Sequence, residues 1–453
     1  MNKLNVGFSK VNINPPLGIS IAGYYVPRFA KGFLDDTNIS GVAFECDGRK
    51  IIVLSADACL LKTAFAKFCA EKIEETTGVS KENIFITVTH SHTAADIYST
   101  LDGSKNEMID EYTRLVATRM VDAAVMALAD LKPAKMGFAT GLAPERVAYI
   151  RRYRMKDGST FTCPPINDPN IVGPIGELDQ RVHVLRFTRE GAEDVVIVNY
   201  GVHADTVNGE LISADWPHWM YKTLDKALDG VKCIFIAGAQ GDVGSTNVHP
   251  SGGDMNDTEI SFDNEMKSPG MARFVGRALA GTVLQVYDKV EYVDVDSIDM
   301  IQKTVTVPAN VPDPAELPLA HKYKELHEAG RDDEIPFDAM QLTTVVAEAI
   351  RMCDLEHGPY EFNLGMCGIR LGSVAMVGIP GEPFTEVGVK IKDTEGFSMI
   401  MPCGLVNGYE GYFPVKAAFD EGGYEARTSR YKTGVAEAVV ENGKEILALL
   451  KKQ

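Results

Sequence analysis

Short apolar runs and longer amphipathic ones take turns along the whole chain. Apolar runs of roughly four to eight residues between turn residues predict strands. They stand at Val6–Val11, Gly41–Cys46, Ile51–Asp57, Ile84–Val88, Lys135–Thr140, Val182–Phe187, Asp194–Tyr200 and Cys233–Ala237. More are expected within Val293–Val307 and at Glu361–Arg370, Ser373–Ile379 and Phe397–Cys403. Asp47-Gly48 and Leu371-Gly372 read as hairpin turns. Amphipathic periodicity predicts helices at about Leu61–Thr77, Glu107–Leu131, Gly270–Tyr287, Asp313–Asp333 and Phe337–Glu356. Another starts at Asp215, an N-cap followed by Pro217, and runs to about Leu228. A helix to about Lys392 and a last one to about Leu450 complete the set. Val147–Pro174 reads as irregular loop rich in cations, and the stretch that follows Asn247, to about Lys267, as a polar, exposed excursion.

Strands that take turns with helices predict an α/β fold, a mixed β-sheet core flanked by helices, with sites at strand carboxyl ends. No repeat at a solenoid period and no dividing linker is visible, so one domain over 1–453 is expected, or two intimately packed halves of about 1–290 and 291–453.

Charge narrows the function. Asp plus Glu is 63 against 45 Lys plus Arg, a net charge of −18 over 453 residues. That excludes a nucleic-acid partner and an anionic membrane surface as the natural target. No run approaches the ~18 apolar residues of a membrane span, so no stable membrane anchor is expected. The amino terminus carries no apolar leader, and the eight cysteines form no Cys-x-x-Cys pair. Buried free thiols and a cytoplasmic location are the expectation.

The candidate chemistry sits where strands end. Ile84–Val88 runs into Thr89-His90-Ser91-His92, and Asp194–Tyr200 into Gly201-Val202-His203. Glu382 follows a strand, and Tyr424 lies in a Gly-rich segment near the carboxyl terminus. Two imidazoles, a carboxylate and a phenol make a nitrogen and oxygen ligand set suited to zinc. The loop Gly238–Asn247 can line a site with backbone N–H groups but lacks a phosphate-loop pattern. His183 reads as a strand residue, and His321 and His249 as surface residues.

Several segments, in order along nearly the whole chain, resemble the catalytic domain of the neutral/alkaline ceramidase family. They are Asn14-Pro15-Pro16-Leu17-Gly18 with Gly23-Tyr24, Thr89-His90-Ser91-His92-Thr93, and Arg151-Arg152 leading to Gly173-Pro174-Ile175. Asn199-Tyr200-Gly201-Val202-His203 with Ser213-Ala214-Asp215 follows, then Gly241-Asp242-Val243, Pro380-Gly381-Glu382-Pro383-Phe384 and Tyr424-Glu425-Ala426. The resemblance implies a hydrolase of amide bonds with one zinc ion per chain, held by His90, His203, Glu382 and Tyr424. His92 would act as the neighbouring acid/base or oxyanion group, Arg152, in slight preference to Arg151, would contact substrate oxygen, and Tyr431 would donate to the oxyanion. Gly23, Arg151 and Asp242 would line the substrate site. The implied partner is a small-molecule substrate, and a homo-oligomer is compatible with the reading.

The chain also departs from that pattern. Lipid-cleaving members carry a secretion signal and a further carboxyl-terminal β-domain, of which the sequence shows neither. Gly244-Ser245-Thr246-Asn247 stands where they have Ser-Pro-Asn, Ala204-Asp205 follows His203, and His218 replaces a small residue. Asp205 and His218 point to a polar substrate in place of ceramide. An ester, lactone or glycosidic bond in a sugar-like substrate, and a non-catalytic metal-containing binding protein, stay open beside the amidase reading.

Overall fold

A computed structural model describes residues 3–97, 106–262 and 264–452. Its principal strands fall into three runs of one order. In the first, β1 (Leu4–Asn12), β2 (Asn38–Cys46) and β3 (Arg49–Ala56) are antiparallel neighbours; α1 (Thr63–Thr77) follows; β4 (Ile84–Val88) lies parallel to β3; and α2 (Glu107–Ala129) ends the run. The second run has antiparallel β5 (Lys132–Leu142), β6 (Arg181–Arg189) and β7 (Val195–Tyr200). Next come α3 (Trp216–Ala227), β8 (Lys232–Ala237) parallel to β7, and α4 (Pro269–Tyr287). The third starts with β9 (Ile298–Pro308), takes in a helical hairpin of α5 (Leu317–Glu328) and α6 (Ala339–Leu355), and resumes with β10 (Glu361–Leu371) and β11 (Val374–Gly378). Then come α7 (Thr385–Lys392), β12 (Met399–Cys403) parallel to β11, two short helices α8 (Lys416–Glu421) and α9 (Tyr424–Thr428), and the closing α10 (Val435–Leu450).

The first two runs join through β1 and β5 into one sheet, in the order β8-β7-β6-β5-β1-β2-β3-β4; the third makes a separate sheet, β9-β10-β11-β12. The alternation along β3 shows how they stack. Ile52 and Leu54 face a core shared with α1 to α4, including Met120, Met220 and Leu279. Ile51 and Val53 face the second sheet through Met300, Ile369, Met376 and Met401. The outer face of the second sheet, with Val377 and Ile400, is covered by Ile391 of α7 and Val439 and Ile446 of α10. The layers are therefore helix, sheet, sheet, helix. Strands buried on both faces read as unbroken apolar runs, which is why the sequence shows them clearly.

Glycine sets two of the helix-on-sheet contacts. A Cβ at Gly7 would lie 1.9 Å from the Ala127 carbonyl oxygen on α2, and one at Gly368 2.3 Å from Ile446 Cγ2 on α10. Only glycine allows the backbones to come so close.

The arginine-rich segment differs from expectation. Arg152–Met155 pairs with Thr160–Thr162 and with Ile171–Pro174 in a small three-stranded sheet. Asp157-Gly158 is the turn, with Gly158 at φ +86°. The cations mask the apolar alternation of Tyr153 and Met155, which pack on Val248 and Phe161.

In all three runs the parallel strand pair ends at the same edge of the sandwich. Ser55 donates to the Phe235 carbonyl, Thr87 to Gly404, and Asn199 to Pro402. The Gly241 N–H donates to the Pro383 carbonyl, and that of Asn407 to Ile86. The loops beyond these ends form one cluster.

Candidate metal centre

Each run sends one polar residue into that cluster: His90 after β4, His203 after β7 and Glu382 after β11. All three are buried. Glu382 Oε2 lies 3.3 Å from His90 Nε2 and 3.0 Å from His203 Nε2. His90 Nδ1 donates to the Cys59 carbonyl at 2.6 Å, and His203 Nδ1 to the Val243 carbonyl at 2.8 Å. A carbonyl can only accept, so Nδ1 carries the proton of each neutral ring and Nε2 turns a lone pair inward. In these neutral tautomers two nitrogen lone pairs and a carboxylate oxygen face one another. Ligands about 2.0 Å from a tetrahedral ion sit roughly 3.3 Å apart, so these spacings fit a small divalent cation.

Local structure holds the three in place. His90 has a left-handed backbone, φ +67°, strain of the kind that collects at functional sites. The loop after His203 is tied down by Asp215, which caps α3 at Trp216 N and accepts from Thr206 N and Val207 N. Trp216 Nε1 donates to the His203 carbonyl. Tyr409 donates to Glu382 Oε1 at 3.1 Å, leaving Oε2 for the centre. Asp242 accepts from Thr385 N at 2.7 Å and Thr385 Oγ1 at 2.9 Å, and so pins the start of α7 just past Glu382.

The electrostatics follow from burial and proximity. Burial works against charge on Glu382, but His90 and His203 outweigh it and hold the carboxyl well below its ordinary range. Burial likewise opposes a proton on His90, and Glu382 outweighs it and holds His90 well above an ordinary imidazole, so that a proton and a cation compete for its Nε2. Burial, and after it the neighbouring His90, His203 and Lys267, push His92 well below the ordinary value, so this ring is neutral.

A cavity of about 220 Å³ opens beside the triad. His92, Arg151, Tyr412 and Tyr424 line it on one side, with Gly23, Tyr24, Tyr25 and Arg28 from the loop after β1. Asp205, Asn208 and Glu265 give it a polar wall. His92 Nε2 is 3.2 Å from His90 Nε2, and its Nδ1 is 3.7 Å from Asp205 Oδ2. Asp205 accepts from Tyr24 at 2.8 Å and from the buried Lys267 at 2.7 Å, and Lys267 also pairs with Glu265. Gly23 has φ +103°, and a Cβ there would lie 2.8 Å from His92 Cγ, so its backbone is the surface against which His92 rests.

The sequence-derived residues divide by place. Arg151, and not Arg152, faces the cavity: its Nη1 is 3.3 Å from His203 Nε2, and Glu425, the Gly241 carbonyl and Tyr412 orient it. Successive residues of an extended chain point opposite ways. Arg152 accordingly lies behind, 2% exposed, bonded to Glu421 and the Gly422 carbonyl. Asp242 lies with Arg152, Phe384 and Thr385 around a second cavity and not around the first. Tyr431 is core: it packs on Phe362 and Phe413 and donates to the Glu410 carbonyl. Tyr424 lines the cavity and packs edge-on against Tyr412, and burial pushes its phenol well above the ordinary value. His218 pairs with Asp35 outside the cavity. Sequence reasoning assigned no role to Tyr409, Tyr412, Glu425 or Lys267; the segment Asn407–Phe413, with its two tyrosines, was the one available signal.

Among solved structures, the fold is similar to neutral ceramidase from Pseudomonas aeruginosa, with TM-score 0.72 and 16% identity, over 100% of this chain and 75% of that one. It is equally similar to a ceramidase complexed with C2, with TM-score 0.72 and 15% identity, over 100% of this chain and 76% of that one. No protein-family description matches the sequence, and no curated protein does. The chain thus has a neutral ceramidase-like fold.

Proposed function

We propose that this chain is a zinc-dependent hydrolase that cleaves the amide bond of a small N-acyl substrate. The observation that carries the reading is the meeting of three inward-facing lone-pair atoms, from His90, His203 and Glu382, with both imidazole protons committed to backbone carbonyls. The ceramidase-like fold supports it. His90, His203 and Glu382 would hold the ion, and Tyr424, on the same cavity, is the proposed fourth ligand. When bound, zinc supplies Lewis acidity and lowers the pKa of water enough for attack on a carbonyl near neutral pH.

The chain's own groups do the rest. Arg151 is held by Glu425, the Gly241 carbonyl and Tyr412 with its Nη1 beside His203 Nε2, where the cation would stabilise negative charge developing on a substrate carbonyl. His92 lies beside the centre, where its ring would take a proton from the attacking water and return it to the leaving amine.

The test is metal analysis of purified protein alongside the His90→Ala, His203→Ala double variant. One zinc per wild-type chain and none in the double variant is expected; stoichiometric zinc in both overturns the assignment. The polar wall of Asp205, Asn208 and Glu265 favours a second reading, hydrolysis of an ester, lactone or glycosidic bond in a hydroxylated substrate. Turnover of N-acyl amines compared with acyl esters and glycosides decides between them.

A further inference from the structure

A helical hairpin is inserted between β9 and β10, as the small three-stranded sheet is between β5 and β6, and the hairpin reaches the cavity. Met340 and Thr343, one turn apart on α6, line it, and Met340 is 7% exposed. The hairpin is stiff in its own right: Leu326, Ile335, Leu342, Val345 and Val346 make a small core of their own. It is also pinned. Glu348 pairs with Arg427 on α9, the helix that starts at Tyr424, and Arg351 donates to the Asn310 carbonyl at 2.8 Å. On the other side, the ring of His327 lies 6.5 Å from that of Tyr25, which also lines the cavity. A pinned, prepacked element presents its side chains as a fixed wall. The cavity it borders, about 220 Å³, is smaller than the roughly 300–1,000 Å³ usual for drug-sized ligands.

From this geometry we infer that the α5–α6 hairpin sets the size limit of the substrate, with Met340 as the stop and Thr343 beside it, so that short acyl groups are taken and long ones refused. The inference rests on the metal-centre reading, because the centre fixes where the carbonyl sits. A thioether chain is flexible but fills space, so its removal leaves room for methylene groups, each worth roughly fourfold in affinity when buried.

Straight-chain alkyl hydroxamates, whose head chelates zinc, test this without need of turnover. Calorimetric titration of the zinc-loaded full chain with acetohydroxamate, butyrohydroxamate, hexanohydroxamate and octanohydroxamate should show affinity falling beyond the short members. Met340→Ala should bind hexanohydroxamate roughly tenfold tighter, with acetohydroxamate unchanged. Thr343→Phe, from a half-buried position that tolerates folding, should lose butyrohydroxamate while keeping acetohydroxamate. Lys322→Ala, on the exposed side of the hairpin, should behave as wild type. A length profile identical in wild type, Met340→Ala and Thr343→Phe, with binding still dependent on zinc, overturns the size limit and leaves the metal centre standing. Absence of zinc-dependent binding by any member to any of the proteins overturns the metal centre and this inference with it.

Discussion

Neighbouring residues with the same side chain have different work here, and substitution should separate them. Arg151→Gln removes the cation that faces the cavity. Turnover of the proposed amide substrate should fall by about 10²–10³, as for loss of an oxyanion donor, with zinc content unchanged. Arg152→Gln removes a buried guanidinium from a partly exposed Glu421 behind the site and should instead lower folding stability by about 1–3 kcal/mol, measured by urea unfolding, with activity per folded molecule retained. Gly23→Ala strains a left-handed backbone and pushes on His92. It should lower turnover and leave zinc bound, since His92 is beside the proposed ligands and not among them. Equal loss of turnover in the two arginine variants would refute the division of roles.

At the scale of elements, β6 carries a pH dependence of its own. His183 is buried on that strand, its Nδ1 paired with Thr140 Oγ1 at 2.9 Å and its Nε2 without a partner. Burial, and then Lys392, lower it to about 3 from the ordinary 6.5. A depressed histidine is neutral in the folded chain, while the unfolded chain takes up the proton. The stability it contributes is therefore complete above pH 6.5 and is lost as pH falls toward 3, by up to about 1.4 kcal/mol per pH unit. The urea midpoint should fall between pH 7 and pH 5, and His183→Gln should flatten that slope. An unchanged slope would mean that His183 is solvated in the native state.

At the scale of the molecule, the proposed ion is a cross-link between the three runs of strands, since each gives one ligand. Binding to the native state alone adds stability by mass action, about 4 kcal/mol at a thousandfold excess over Kd. A chelator should thus lower Tm, zinc should restore it, and the His90→Ala, His203→Ala variant should respond to neither. No helix among the described residues is long and apolar enough to cross a membrane. All eight cysteines are free.

What the chain shows by itself is local. Strands buried on both faces read as apolar runs, the α3 cap reads from Asp215 and Pro217, and His90, His203 and Glu382 stand out as polar residues closing such runs. The ceramidase-like fold is legible in short motifs spread in order along nearly the full length. Tertiary structure decides what periodicity does not carry. It sorts the strands into two sheets and three like runs, because pairing depends on partners distant in the chain. It decides which of two adjacent arginines faces the cavity, because that is set by the phase of a short strand hidden among charges. It places Tyr409 on Glu382, Glu425 on Arg151 and Tyr431 in the core, because a tyrosine or glutamate in a glycine-rich segment has the same sequence signature whether it packs, supports or faces a substrate.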